Sequence, residues 1–249
     1  MVDTHCHLDH CEAPVPHLVT RARQAGVERV MAIGMTGDSC RHALGAADRH
    51  EEVFACIGRH PHESKGFDDA GLEELQELSA HPKARAIGET GLDYKRDYSP
   101  RPDQRRAFIA QMELARALDR PLVIHTRFAA DDTLELLARH ADGQPVIIHC
   151  FSLTDHVEEC VERGYFCSFA GNVTYPKATD LQRAATTVPD ELLLVETDAP
   201  FLAPQARRGK TNEPAFVTST AEFVAELRGM TYEALDRIVS DNAARLFGW

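Results

Sequence analysis

The residues best equipped for chemistry are histidines and carboxylates that follow short apolar runs. The chain opens Met1-Val2-Asp3-Thr4-His5-Cys6-His7. Side chains alternate along a strand, so His5 and His7 share one face and Cys6 takes the other. Paired imidazoles at a strand end are poor core residues and good metal ligands. Later apolar runs end in similar chemistry: Gly58-Arg59-His60-Pro61-His62, then Glu89, His125, His149 and Glu196-Thr197-Asp198. Each alone has an ordinary reading. His125 suits a hydrogen-bonded core histidine, Glu89 a turn cap, and Asp198 a cap for a helix after Pro200. Together, His5, His7, His125 and His149 with Glu89 and Asp198 make a mixed N/O donor set. That is too many donors for one tetrahedral ion. It suits two ions sharing a bridging carboxylate.

Elements able to gather these residues are legible in the apolar pattern. Short apolar runs start at Met1, Val27, Val53, Ala84, Pro121, Pro145, Tyr165 and Leu192. Between them lie stretches of helical spacing, such as Leu134, Leu137, Ala138 and Ala141. Ser99-Pro100 reads as an N-cap with proline at the first helical position. Near-continuous apolar strands alternating with helices predict an α/β fold, a (β/α)8 barrel with a parallel sheet covered on both sides. A doubly wound open sheet is the alternative, but no GxGxxG follows the first strand. No repeat or linker interrupts the chain, so residues 1–249 read as one domain. In a barrel, the C-terminal strand ends meet at one mouth. The eighth strand closes on the first, which groups His5, His7 and Asp198. His125 and His149 are neighbours on the other side, and Glu89 can reach between.

Composition narrows the function classes. A net charge of −12 argues against non-specific capture of nucleic acid by a basic surface. No run of about 18 apolar residues suggests a membrane span. Seven cysteines without framework spacing point to free thiols in a reducing cytoplasm. No obligate protein partner is evident.

Several motifs together resemble the TatD family of metal-dependent deoxyribonucleases, within the amidohydrolase-like barrels. They are Asp3-Thr4-His5-Cys6-His7-Leu8-Asp9, Gly58-Arg59-His60-Pro61-His62, Gly88-Glu89-Thr90-Gly91-Leu92-Asp93-Tyr94 and Pro121-Leu122-Val123-Ile124-His125-Thr126-Arg127. His149-Cys150-Phe151-Ser152, Glu196-Thr197-Asp198-Ala199-Pro200 and Arg208-Gly209-Lys210-Thr211-Asn212-Glu213-Pro214 complete the set, in family order. The resemblance implies metal ligands at His5, His7, Glu89, His125, His149 and Asp198, and phosphate contacts at His60 and His62. Arg59, Lys95 and Leu153 depart from the family pattern. The two cations would add positive charge beside the mouth.

The implied reaction is two-metal hydrolysis of a phosphodiester, with DNA as substrate, single-stranded or at duplex ends, trimmed from an end. Asp198 is the expected general base, with Glu89, His60 and His62 supporting it. Arg208 and Lys210 are candidates for holding phosphate, and Arg127 for packing or an ion pair. Glu196 shares a face with Asp198 and is a candidate for orienting a ligand histidine. Zinc suits the imidazole-rich set, while magnesium or manganese are options in turnover. The alternative is another ester or amide, such as D-aminoacyl-tRNA.

Overall fold

A computed structural model describes residues 1–249. The strands are β1 (Val2–Cys6), β2 (Arg29–Ile33), β3 (Val53–Ile57), β4 (Ala84–Asp93), β5 (Leu122–Arg127), β6 (Val146–Ile148), β7 (Phe166–Phe169) and β8 (Leu193–Val195). The helices are α1 (Val15–Gln24), α2 (Gly37–Arg49), α3 (Asp69–Ser79), α4 (Arg101–Ala117), α5 (Ala130–His140), α6 (Val157–Glu162), α7 (Thr179–Thr187), α8 (Val217–Leu227) and α9 (Tyr232–Phe247). All neighbouring strands pair in parallel, in chain order. The ring closes where Cys6 bridges Ala199 and the His7 N–H donates to the Ala199 carbonyl at 2.7 Å. The (β/α)8 barrel expected from the sequence is therefore the fold. No helix is long and apolar enough to cross a membrane.

Two apolar layers hold the barrel. A large buried cluster fills the space between sheet and helices. A smaller one fills the barrel itself, with Val2, Met31, Phe54, Ala86, Val123, Ile147, Phe166 and Leu194 contributed by successive strands. Ala243 and Phe247 of α9 floor it. Thr231 caps α9 by accepting the Ala234 N–H, and Gly248 ends it in the left-handed region. The packed interior leaves chemistry to the opposite, C-terminal face.

Two strands change phase before reaching that face. The β1–β2 register shifts between Asp3 and Cys6, so Val2 points inward low in the barrel while His5 and His7 reach the mouth. The β4–β5 register shifts between Ile87 and Thr90. Gly88 and Gly91 lie at φ 143° and 138°. A Cβ on Gly91 would collide with the His125 carbonyl oxygen. This close approach sets Glu89 against His125. Gly91→Ala combines a forbidden backbone with overpacking and should cost about 3 kcal/mol or more in urea unfolding. Gly143→Ala, also at positive φ but with nothing within 4 Å, should cost only about 1–2 kcal/mol.

One expected cap is corrected. Helix α4 starts at Arg101, with Pro100 at the cap and no side-chain cap bond. Ser99 instead donates its hydroxyl to the His62 carbonyl at 2.7 Å and accepts the Lys65 N–H at 2.9 Å. Its role is to pin the loop that carries His60 and His62. The order Ser-Pro resembles a helix start, but the loop offers Ser99 better partners than the helix does.

Candidate metal centre

The strand ends converge on Glu89. Its Oε1 lies 2.8 Å from His125 Nδ1, 3.1 Å from His149 Nε2 and 3.4 Å from His60 Nε2. Its Oε2 lies 3.4 Å from His5 Nε2 and 3.6 Å from His7 Nε2. Asp198 Oδ1 stands 3.5 Å from His7 Nε2 and 3.9 Å from His5 Nε2. Thus the structure gathers all six residues picked from the strand ends. Glu89 lies between the His5–His7–Asp198 side and the His125–His149 side.

The donor set fits divalent cations. Glu89 Oε2, which faces the Nε2 atoms of His5 and His7, is buried without a hydrogen-bond partner. Burying unpartnered polar atoms is costly unless something further satisfies them. His5 Nε2 and His7 Nε2 sit only 3.3 Å apart, and the His5 and His149 rings stack at 3.7 Å. Such crowding of imidazoles and carboxylates is what a cation organises. Ligand atoms of His5, His7 and Glu89, of His60, Glu89 and His125, and of His5, His149 and Glu196 each lie within 4.8 Å of one another.

Hydrogen bonding separates ligand candidates from other roles. His149 Nδ1 faces Glu196 Oε1 at 2.9 Å, and that oxygen also accepts the Cys150 N–H at 2.7 Å. Donating from Nδ1 leaves the Nε2 lone pair of His149 free for a metal. His60 is the reverse case. Its Nδ1 accepts the His62 N–H at 3.1 Å, so its Nε2 carries the proton toward Glu89. His60 is placed to donate a hydrogen bond, although it falls within one of the metal-sized clusters.

Charge follows the same geometry. Burial pushes Glu89 up, but the adjacent His149 and His60 and the hydrogen bond from His125 outweigh it, holding the carboxyl well below its ordinary range. Burial opposes ionisation of Asp198 too, and the His7 hydrogen bond with the nearby His149 prevails. Burial lowers His60 to about 4, leaving it neutral. Both carboxylates therefore stay ionised at neutral pH, as cation ligands must.

Glu196→Gln should weaken metal binding by roughly 10–100-fold, because His149 loses its anionic orienting partner. Titration against a competing chelator measures this, with far-UV dichroism unchanged.

The sequence reading missed Asp93. Its buried Oδ2 accepts from His62 Nε2 at 2.8 Å and lies 3.3 Å from His125 Nε2, while Oδ1 accepts the Lys95 and Arg96 N–H groups at 2.9 Å. The signal was available: Glu89, Gly91 and Asp93 share one strand face by period two. Gln104 fixes the strand end by accepting the Asp93 N–H at 2.8 Å.

A cavity of about 620 Å³ opens over the cluster, lined by His7, His60, His62, His125 and Asp198 among others. Arg208 and Lys210 do not line it; they sit exposed on the loop after β8, with Arg208 over the Tyr175 ring. Two expectations about cations need correction. Arg59 turns from the mouth, packs over Phe67 and pairs with Glu74 at 3.9 Å. Arg127 is not packed or paired: it ends β5 exposed, forms no ion pair and lines the cavity beside Arg96. Side-chain direction at a strand end, invisible in sequence, decides both. Lys95 lies over the Phe128 ring, beside the mouth as expected though outside the cavity lining. Leu153 stands at φ −86° and is buried, so that position has no need of glycine.

A barrel whose mouth gathers imidazoles and carboxylates in this way defines a metal-dependent hydrolase. A family model described as TatD related DNase matches residues 2–248, and the chain belongs to the TatD family. It is 37% identical to the "uncharacterized metal-dependent hydrolase YabD" of Bacillus subtilis, over 99% of this chain and 98% of that protein. It is 36% identical to a Musicola paradisiaca protein named "3'-5' ssDNA/RNA exonuclease TatD", over 92% of this chain and 90% of that one. A solved structure of YJJV, a TatD homolog from Escherichia coli K12, superposes with TM-score 0.92 at 28% identity, covering 100% of this chain and 98% of that one.

Proposed function

We propose that the chain is a two-metal phosphodiesterase that trims DNA from single-stranded ends. The observation that carries this reading is Glu89, ionised and shared between two groups of imidazoles at the barrel mouth. The exonuclease name of the Musicola paradisiaca relative supports the substrate class. In this reading His5, His7 and Asp198 would hold one ion and His125 and His149 the other, with Glu89 available to both. Bound there, two divalent ions supply Lewis-acid charge for the phosphate oxygens and for the attacking water.

The chain's own residues do the rest. Asp198 takes the proton of the attacking water. His60 presents its Nε2 proton, and His62, oriented by Asp93, steadies a phosphate oxygen as negative charge builds. Arg127, free of any ion pair, can grip a phosphate through two N–H groups. Arg208 and Lys210 reach phosphates further along the strand.

The direct test is cleavage of end-labelled single-stranded DNA with zinc, manganese, magnesium or cobalt, run beside D-aminoacyl-tRNA and simple esters. A ladder shortening from one end supports the nuclease. Intact DNA beside a hydrolysed ester or aminoacyl-tRNA overturns it.

With a net charge of −12 and few cations at the mouth, capture should be local. About four neutralised phosphates predict a log–log salt slope near −3 for single strands. A slope of about −5 or steeper would contradict local capture.

A further inference from the structure

Only three large hydrophobic side chains of this chain are strongly exposed: Tyr98 at 62%, Phe128 at 76% and Phe201 at 52%. All three belong to loops at the C-terminal strand ends. Tyr98 follows β4 and packs edge-on to His62 at 4.7 Å; Phe201 follows β8 and meets His7 edge-on at 6.1 Å. Both line the cavity over the cluster. Phe128 follows the cavity-lining Arg127 and is held at φ 55° with its ring in solvent. A bulky residue in that backbone region is normally compensated by packing. Here its ring gains only Lys95, 4.9 Å above one face.

Charge sits beside these rings. Arg96 donates to the Tyr98 hydroxyl at 3.2 Å, and neither Arg96 nor Arg127 forms an ion pair, although the chain is strongly acidic. Exposed aromatic faces next to unpaired guanidinium groups match one ligand chemistry: a run of unpaired nucleotides, with a flat base and an anionic phosphate at each step. A duplex hides its base faces in the stack and cannot use the rings.

We infer that Tyr98, Phe128 and Phe201 form a stacking rim that grips the unpaired bases next to the scissile phosphate and selects single strands over duplex. The inference rests on the nuclease reading above. These are positioning residues, so their effect belongs in KM more than in kcat.

The test compares two oligothymidylates, one natural and one with abasic residues in place of its terminal nucleotides at the cleaved end. For the wild-type metal-loaded enzyme, kcat/KM should favour the natural oligomer by roughly 5- to 150-fold for each stacked base. The triple variant Tyr98→Ala, Phe128→Ala, Phe201→Ala should lose that preference through KM while cleaving the abasic oligomer nearly as well as wild type. Tyr98→Phe and Phe201→Tyr, which keep the rings, should retain it. Metal content is matched by elemental analysis before comparison. Equal cleavage of both oligomers by wild type, or a triple variant that loses both equally, would overturn the rim. Cleavage of neither oligomer by wild type overturns the nuclease reading itself, and the rim with it.

Discussion

Glu89→Gln is expected to reduce turnover by about 10³-fold or more, with the barrel still folded. Glu89 is the only residue whose carboxylate faces His5, His7, His60, His125 and His149 together. Gln keeps its shape and one oxygen but removes the charge. Metal ions stabilise transition-state charge by several kcal/mol, and about 1.4 kcal/mol is a factor of ten in rate. A substitution that loosens both ion positions therefore costs more than one touching a single side. Metal content measured on the same sample should fall with the rate. Normal activity with a full metal complement would remove Glu89 from the bridging position.

Asp198→Asn should lower turnover by about 10²–10⁴-fold while weakening DNA binding far less. Asp198 stands at φ 54°, with its N–H donating to the His5 carbonyl at 2.9 Å. That strained backbone aims the carboxylate at His5 and His7, not along the strand. Asn preserves the shape and one ligand oxygen but cannot take a proton. If Asp198 only held metal, excess metal would restore most of the rate. Persistence of the defect at saturating metal is the expected result. Full rescue would leave Glu89 as the candidate base.

The sequence carried the donor set well because all six residues come after apolar runs, in the later part of a strand or just beyond it, and a barrel brings those ends to one mouth. His125 and His149 follow from simple alternation beyond Val123 and Ile147. Asp198 lies past the end of β8, where a left-handed backbone sets its direction. His5 and Glu89 do not follow from alternation either. Each lies past a register shift that changes the face its strand presents, and shifts depend on how the neighbouring strand packs. Gly88 and Gly91 were visible in the sequence, but their meaning needs the carbonyls of Val123 and His125. The mouth cations were the least legible. Arg59 follows β3 and Arg127 ends β5, yet one folds over Phe67 and the other stays free. Long flexible side chains take direction from neighbours distant in sequence, and no local pattern encodes that choice. Tyr98 and Phe201 were hidden for the same reason, as exposure belongs to the loop and not to the residue.

The central claim, a bridged pair of divalent ions at the mouth, is tested most directly by counting ions on protein loaded with manganese and dialysed. The account predicts about two ions per chain, magnetically coupled through a shared carboxylate in the electron paramagnetic resonance spectrum. It predicts about one in His149→Ala, with the barrel intact. A single ion per chain at saturating manganese, or two ions with no coupling, would contradict it.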